Sequence, residues 1–160
     1  MQNILWKISK LVICAAVLLL CFNGLRALHY AARARFTVDV LEKFIQMYYE
    51  EHRKYPASLE NLPEINVVSY REGLAFDSKA LKNWQGSGYR YAYELLDQDR
   101  FVLSASPDEL WSTGIEFGIT EEGFLKFNAV GVDASADSHE EVKGWQAILR
   151  TDQVVTRISR

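Results

Sequence analysis

Hydrophobic positions follow three patterns along the chain. Residues 11–22, LVICAAVLLLCF, are continuously apolar. From Leu25 to Tyr55 the apolar residues instead recur at helical spacing: Ala34, Val38, Leu41, Ile45, Tyr48 and Tyr49 form a stripe, with Phe44 beside it. Asp39, Glu42, Lys43, Gln46, Glu50 and Arg53 mostly fall off that stripe. A period of about 3.6 held over this length predicts one long amphipathic helix whose core face carries Val38, Leu41, Ile45 and Tyr48. Pro56 has no N–H to continue the helix and disfavours helical geometry at Tyr55, which predicts a stop at Tyr55-Pro56.

Beyond Pro56 the period shortens to two. Tyr89 to Leu96 puts Tyr89, Tyr91, Tyr93 and Leu95 on one face and Arg90, Ala92, Glu94 and Leu96 on the other, the pattern of a half-buried strand. Asp97-Gln98-Asp99 turns the chain, and Arg100 to Ser106 returns with Phe101, Leu103 and Ala105 on one face before Pro107 ends it. A second hairpin follows, with strands Ile115–Thr120 and Phe124–Phe127 around Glu121-Glu122-Gly123. These connections are too short for parallel crossovers, so the four strands form an antiparallel meander. A sheet with one apolar face needs a cover, and the amphipathic helix supplies it; the fold class is α+β. Smaller signals are Ser58 as the N-cap of a turn ending at Pro63, a short edge strand at Gly73–Phe76, and a turn at Gly86-Ser87-Gly88. In the tail, Asp133 to Ser138 reads as a linker, Glu140 to Leu149 has helical spacing, and Val154-Val155 starts a terminal strand. The chain therefore divides into 1–25, 26–128 and a C-terminal extension, 129–160.

The N-terminal run consists of Leu11, Val12, Ile13, Cys14, Ala15, Ala16, Val17, Leu18, Leu19, Leu20, Cys21 and Phe22. As a helix it covers only ~18 Å of a ~30 Å hydrocarbon layer. Extension from Ile8 to Leu28, with Lys10 and Arg26 snorkelling at its ends, gives about 20 residues and a span. A retained anchor competes with a cleaved signal peptide, which has the same basic head and apolar core. Cleavage after Gly24 would place the bulky Phe22 at −3, which favours retention. Lys7 and Lys10 on one side, and Arg26, Arg33 and Arg35 on the other, give no clean orientation.

Charge narrows the function. The net charge of −3 includes the two lysines of the first 25 residues, so the remainder carries −5. That argues against a nucleic-acid partner, which calls for a basic patch. Both cysteines, Cys14 and Cys21, lie in the apolar run, so there is no disulfide framework. His139-Glu140-Glu141 lacks the second histidine of a zinc-protease helix, and His29, His52 and His139 read as surface or interfacial residues. Asp97, Asp99, Asp108 and Asp133 are oxygen donors of the kind calcium takes, but without a calcium-loop spacing they read as turn formers. No catalytic, cofactor-binding or metal-ligating set is assigned. Hairpin acids acting as a hydrolytic pair are the weakest alternative, requiring two carboxyls with separated pKa values.

Three stretches, in order, carry a family resemblance: Met47-Tyr48-Tyr49-Glu50-Glu51-His52-Arg53-Lys54-Tyr55-Pro56 with Ser58-Leu59 and Leu62; Asn83-Trp84-Gln85-Gly86-Ser87-Gly88-Tyr89-Arg90-Tyr91; and Phe101-Val102-Leu103-Ser104-Ala105-Ser106-Pro107-Asp108 with Thr113-Gly114. Over residues 26–128, roughly two thirds of the chain, it resembles type IV pilin-like proteins, especially the major pseudopilin of type II secretion systems. The family's processing glycine before the apolar run, and its glutamate five residues into that run, are both missing: Gly24 follows the run, and the first acid is Asp39. The resemblance implies a single-pass protein of the inner membrane with its domain periplasmic or extracellular. It would act through protein contacts, including other pilin-like subunits, in a secretion or pilus-type assembly, with the exposed sheet face and the tail meeting partners. The alternative is a signal-cleaved, soluble extracytoplasmic binding module.

Overall fold

The computed structural model describes residues 2–69, 74–80, 85–86, 88–108, 114–129 and 139–148. One helix, α1 (Gln2–His52), runs for 51 residues through both the apolar run and the amphipathic stretch. No proline occurs before Pro56, and Gly24 is the one glycine on the way, so nothing in the sequence interrupts the hydrogen-bond ladder. The helix ends at His52 rather than Tyr55. Arg53 adopts a left-handed conformation (φ 57°), and its N–H donates to the Tyr49 carbonyl at 2.8 Å, closing the last turn. The chain therefore folds back three residues before the proline. Tyr55 reaches the core, stacked on Tyr49 (centroids 4.5 Å apart) and edge-on to Phe101 (4.6 Å).

A short 3-10 turn, Leu59–Asn61, follows, with Ser58 at its N-cap position and the Ser58 N–H donating to the Asn61 side chain at 2.9 Å. Strands β1 (Asn66–Ser69) and β2 (Leu74–Asp77) pair antiparallel as a separate hairpin. The expected edge strand at Gly73–Phe76 is thus β2, and its alternation buries Leu74 and Phe76. The main sheet is antiparallel with strands in chain order: β3 (Gln85–Gly86), β4 (Tyr89–Leu95), β5 (Phe101–Pro107), β6 (Ile115–Thr120), β7 (Lys126–Ala129) and β8 (Gln146–Ala147). The four expected strands are its centre, and two-residue strands extend it at both edges, making six rather than four.

Boundaries shift for identifiable reasons. Pro107 belongs to β5, opposite Tyr89, because β6 pairs only with Val102 to Ala105 and makes no demand on its missing N–H. The last strand of the meander starts at Lys126 rather than Phe124, because Gly123 (φ 72°) donates to the Thr120 carbonyl at 2.9 Å and sets the turn before it. The tail helix is α2 (His139–Gly144), shorter than the expected Glu140–Leu149; Gln146–Ala147 leave it to pair with β7. Asp133 to Ser138 and Val154-Val155 lie outside the described residues.

The core lies between α1 and one face of the main sheet, with the β1–β2 hairpin on the flank. Ala27, Ala31, Ala34, Val38, Leu41 and Ile45 line the buried stripe in alternating steps of four and three. Tyr89, Tyr91, Phe101, Leu103, Ala105, Phe117 and Ile119 meet it from the sheet. The opposite face is covered as well: Val142 of α2 and Trp145 pack on Val102, and an added methyl on Gly118 would lie 2.7 Å from Val142. The outer sheet face, expected to be open to partners, is therefore partly roofed by the protein's own tail.

Two substitutions test this packing. Leu41→Ala empties a fully buried site and is expected to cost about 2–5 kcal/mol of stability in urea unfolding of the detergent-solubilised chain. Gly118→Ala should push α2 off the sheet, seen as faster amide exchange across 139–148 while the centre of α1 stays protected.

Candidate functional site

Two features stand out once the fold is known: a bare apolar stalk and a charged clamp on the outer sheet face. The stalk follows from the continuity of α1. Every residue from Lys10 to Arg26 is exposed except the half-buried Asn23. Leu11 is 73% exposed, Leu18 70%, Leu20 68% and Phe22 65%, and from Lys10 onward the first buried position is Ala27. All twelve expected anchor residues, Leu11 to Phe22, therefore stand clear of the domain. A continuous apolar surface of this kind marks a membrane or protein interaction site. The helix is long and apolar enough to cross a membrane. Cys14 and Cys21 are free thiols on this surface.

Amphipathic side chains mark both ends of the stalk. The Lys10 ammonium sits 3.5 Å from the centre of the Trp6 ring. At the other end Arg26 donates to the Tyr30 hydroxyl at 2.7 Å and lies over its ring. Trp6 and Tyr30 are about 36 Å apart along the axis, a separation suited to aromatic belts flanking a ~30 Å core. Tyr30 also touches the domain: an added methyl on Gly88 would meet its ring at 3.0 Å. The stalk thus enters the domain with no intervening loop.

On the expected core face, Val38, Leu41 and Ile45 are fully buried, but Tyr48 is only half-buried. It stacks on His52 (4.1 Å) while Tyr49 and Tyr55 take the core position, a result of the early left-handed turn at Arg53. Glu42, assigned by pattern to the polar side, is 6% exposed, with Oε1 close to Gly123 in the β6–β7 turn. The aromatic strand is locked into the core. The Tyr89 hydroxyl donates to the Ile115 carbonyl at 2.8 Å, and the Tyr93 hydroxyl to the Pro56 carbonyl at 2.7 Å. Burial pushes the Tyr91 hydroxyl up to about 12, against the opposing effects of a hydrogen bond with Thr37 and the charge of Arg33.

The clamp joins the β6–β7 turn to α2. His139 is buried, not superficial as its sequence position implied, and its Nε2–H donates to Glu121 at 2.7 Å, since a carboxylate only accepts. Lys143 reaches the other Glu121 oxygen at 3.3 Å. Lys126, 5% exposed, holds Glu122 at 2.7 Å and donates to the Lys143 carbonyl at 3.0 Å, satisfying the C-terminal end of α2. Burial alone would raise the Glu121 carboxyl; hydrogen bonds from His139, its own backbone and Lys143 outweigh that and hold it below the ordinary value.

The hairpin acids do not converge. Asp97 binds Arg100 at 2.6 Å, Asp99 accepts from Tyr49 at 3.4 Å, and Asp108 binds Arg90 at 2.8 Å at the opposite end of the sheet; Asp133 lies outside the described residues. The Arg100 hydrogen bond, helped by the Asp99 backbone, holds the Asp97 carboxyl low. Asp97 and Glu121 are thus both shifted toward the ionised form, whereas an acid–base pair needs one partner raised. The sequence clue to the clamp was slight: Lys126 in phase with a buried strand position, and Glu121-Glu122 facing a His and a Lys four residues apart.

Comparison with protein-family models, characterised proteins and solved structures finds no match to this chain.

The Glu121 carboxyl carries a sign-definite prediction. A folded-state pKa below the unfolded one contributes stability that is complete above the ordinary value of 4.5 and disappears as pH falls through the folded value. Denaturant midpoints between pH 7 and pH 3 should therefore fall less steeply below about 4.5 for Glu121→Gln than for the wild type.

Proposed function

We propose that this protein is a single-pass, membrane-anchored envelope protein of pilin-like organisation that works through protein contacts rather than catalysis. The observation that carries this reading is the unbroken α1: residues 11–22 are apolar on all sides and uncovered, and the stretch from Ala27 is the helix around which the domain core is built. The order of elements adds support. An N-terminal helix, a fold-back at Arg53 just ahead of Tyr55-Pro56 and an antiparallel meander built on an aromatic strand follow the order of elements that the sequence resemblance implies. In this reading the N-terminus faces the cytoplasm of a cell with an inner membrane, and the domain faces outward. Subunit or partner contacts use the distal pole, where the 96–100 turn meets the end of α1, the 121–125 turn lies against Glu42, and Leu96 and Phe124 are exposed.

A second reading has one observation in its favour. Because burial begins at Ala27, cleavage near Leu25 would leave the core face whole and release a soluble binding module. Intact-mass analysis of the protein recovered from its native membranes separates the two. The full-length mass, together with digestion of the domain by protease added to spheroplasts and its protection in sealed inside-out membrane vesicles, is the expected result. A mass beginning near Leu25 would transfer the assignment to the soluble module.

A further inference from the structure

The charge of this chain is divided by position. All 21 acids lie at or after Asp39, whereas five of the 18 basic residues, Lys7, Lys10, Arg26, Arg33 and Arg35, precede it. The first 38 residues therefore carry +5 and the rest −8. Three of those cations cluster where the stalk meets the domain, and Arg26, Arg33 and Arg35 are all exposed. Helical geometry fixes their arrangement. Arg26 and Arg33 are two turns apart and lie on the same side of the helix, while Arg35 falls on the opposite side. The buried stripe of Ala27, Ala31 and Ala34 runs between those sides, so the guanidinium groups flank the domain contact.

Their height is fixed as well. If Arg26 marks the hydrocarbon boundary, Arg33 and Arg35 stand about 10 and 14 Å beyond it along the axis, the depth of a headgroup layer. The unbroken helix and the contact between Tyr30 and Gly88 hold the base of the domain at the same level. Among the described residues, two acids near this junction have cationic partners: Asp39 binds Lys43 at 3.1 Å, and Asp108, beside Gly88, binds Arg90. From this geometry we infer that Arg26, Arg33 and Arg35 form a collar that binds the phosphates of anionic phospholipids around the stalk. Arginine suits the task because its planar fork matches phosphate oxygens and stays charged. The acidic domain is repelled by the same surface, so the collar is the part of the molecule that sets how closely the domain approaches it.

The collar rests on the membrane-anchored reading, and the test separates the two. Full-length protein is reconstituted into phosphatidylcholine vesicles and into vesicles with one fifth phosphatidylglycerol, and resistance to alkaline carbonate is measured in each. The protein carries Lys7→Gln and Lys10→Gln to silence the other end. The fraction of spin-labelled phosphatidylglycerol or phosphatidylcholine immobilised at the protein is then compared. Carbonate resistance in both vesicle types, with phosphatidylglycerol preferred about fivefold at low salt, is the expected result. The preference should vanish in the Arg26→Gln/Arg33→Gln/Arg35→Gln variant, which stays carbonate-resistant with an unchanged circular dichroism spectrum, and should weaken in high salt. Equal immobilisation of the two lipids, or a preference that survives the triple substitution, overturns the collar while leaving the anchor standing. Extraction by carbonate from both vesicle types overturns the anchor itself.

Discussion

The contact between one stripe of α1 and the aromatic face of the meander is the interaction on which the rest of the structure depends. Ala34, Val38, Leu41 and Ile45 are fully buried, and so are Tyr89, Phe101, Leu103 and Ile119 opposite them. At roughly 1.5–3 kcal/mol for each large apolar side chain removed from water, this layer dominates the favourable side of folding. It also gives the separate β1–β2 hairpin a surface to bury Phe76 against, since an isolated hairpin is marginal in water. The buried stripe carries small residues, Ala27, Ala31 and Ala34, near the stalk and larger ones, Val38, Leu41 and Ile45, farther along.

The second layer, on the other sheet face, has a different character. The first layer is predominantly apolar. The second combines a small apolar contact, Val142 and Trp145 on Val102, with links from Glu121 to His139 and Lys143 and a hydrogen bond from Lys126 to the Lys143 carbonyl. Partly buried ion pairs contribute modest net stability because desolvation offsets attraction, so this roof is held by geometry and charge more than by area. It leaves the outer surface of the sheet less available than a bare meander would.

Elements with strong periodicity were legible in the sequence, and those set by tertiary pairing were not. The helix face and the strands from Tyr89 and Ile115 follow from periods of about 3.6 and two, because one buried face imposes that spacing. Tyr48 was misplaced because the stripe was extended through Tyr55, while a left-handed Arg53 ends the helix at His52; a non-glycine residue in that conformation has no reliable sequence signal. Glu42 was assigned to the polar side by its chemistry alone. Burial of His139 depends on a turn distant in sequence, which no local pattern encodes. The edge strands are two residues each, too short for any periodicity to appear.

A helix without a break is also a rigid shaft. Between the uncovered Leu25 and the buried Ala27 there is no loop to absorb twist. Each residue of an α-helix advances by about 100° around its axis, so whichever side of the stalk is held dictates the compass bearing of the domain. Inserting or deleting a single residue there would lift or lower the domain by only about 1.5 Å, yet swing its faces by more than a quarter turn. Azimuth, far more than height, is what this junction encodes.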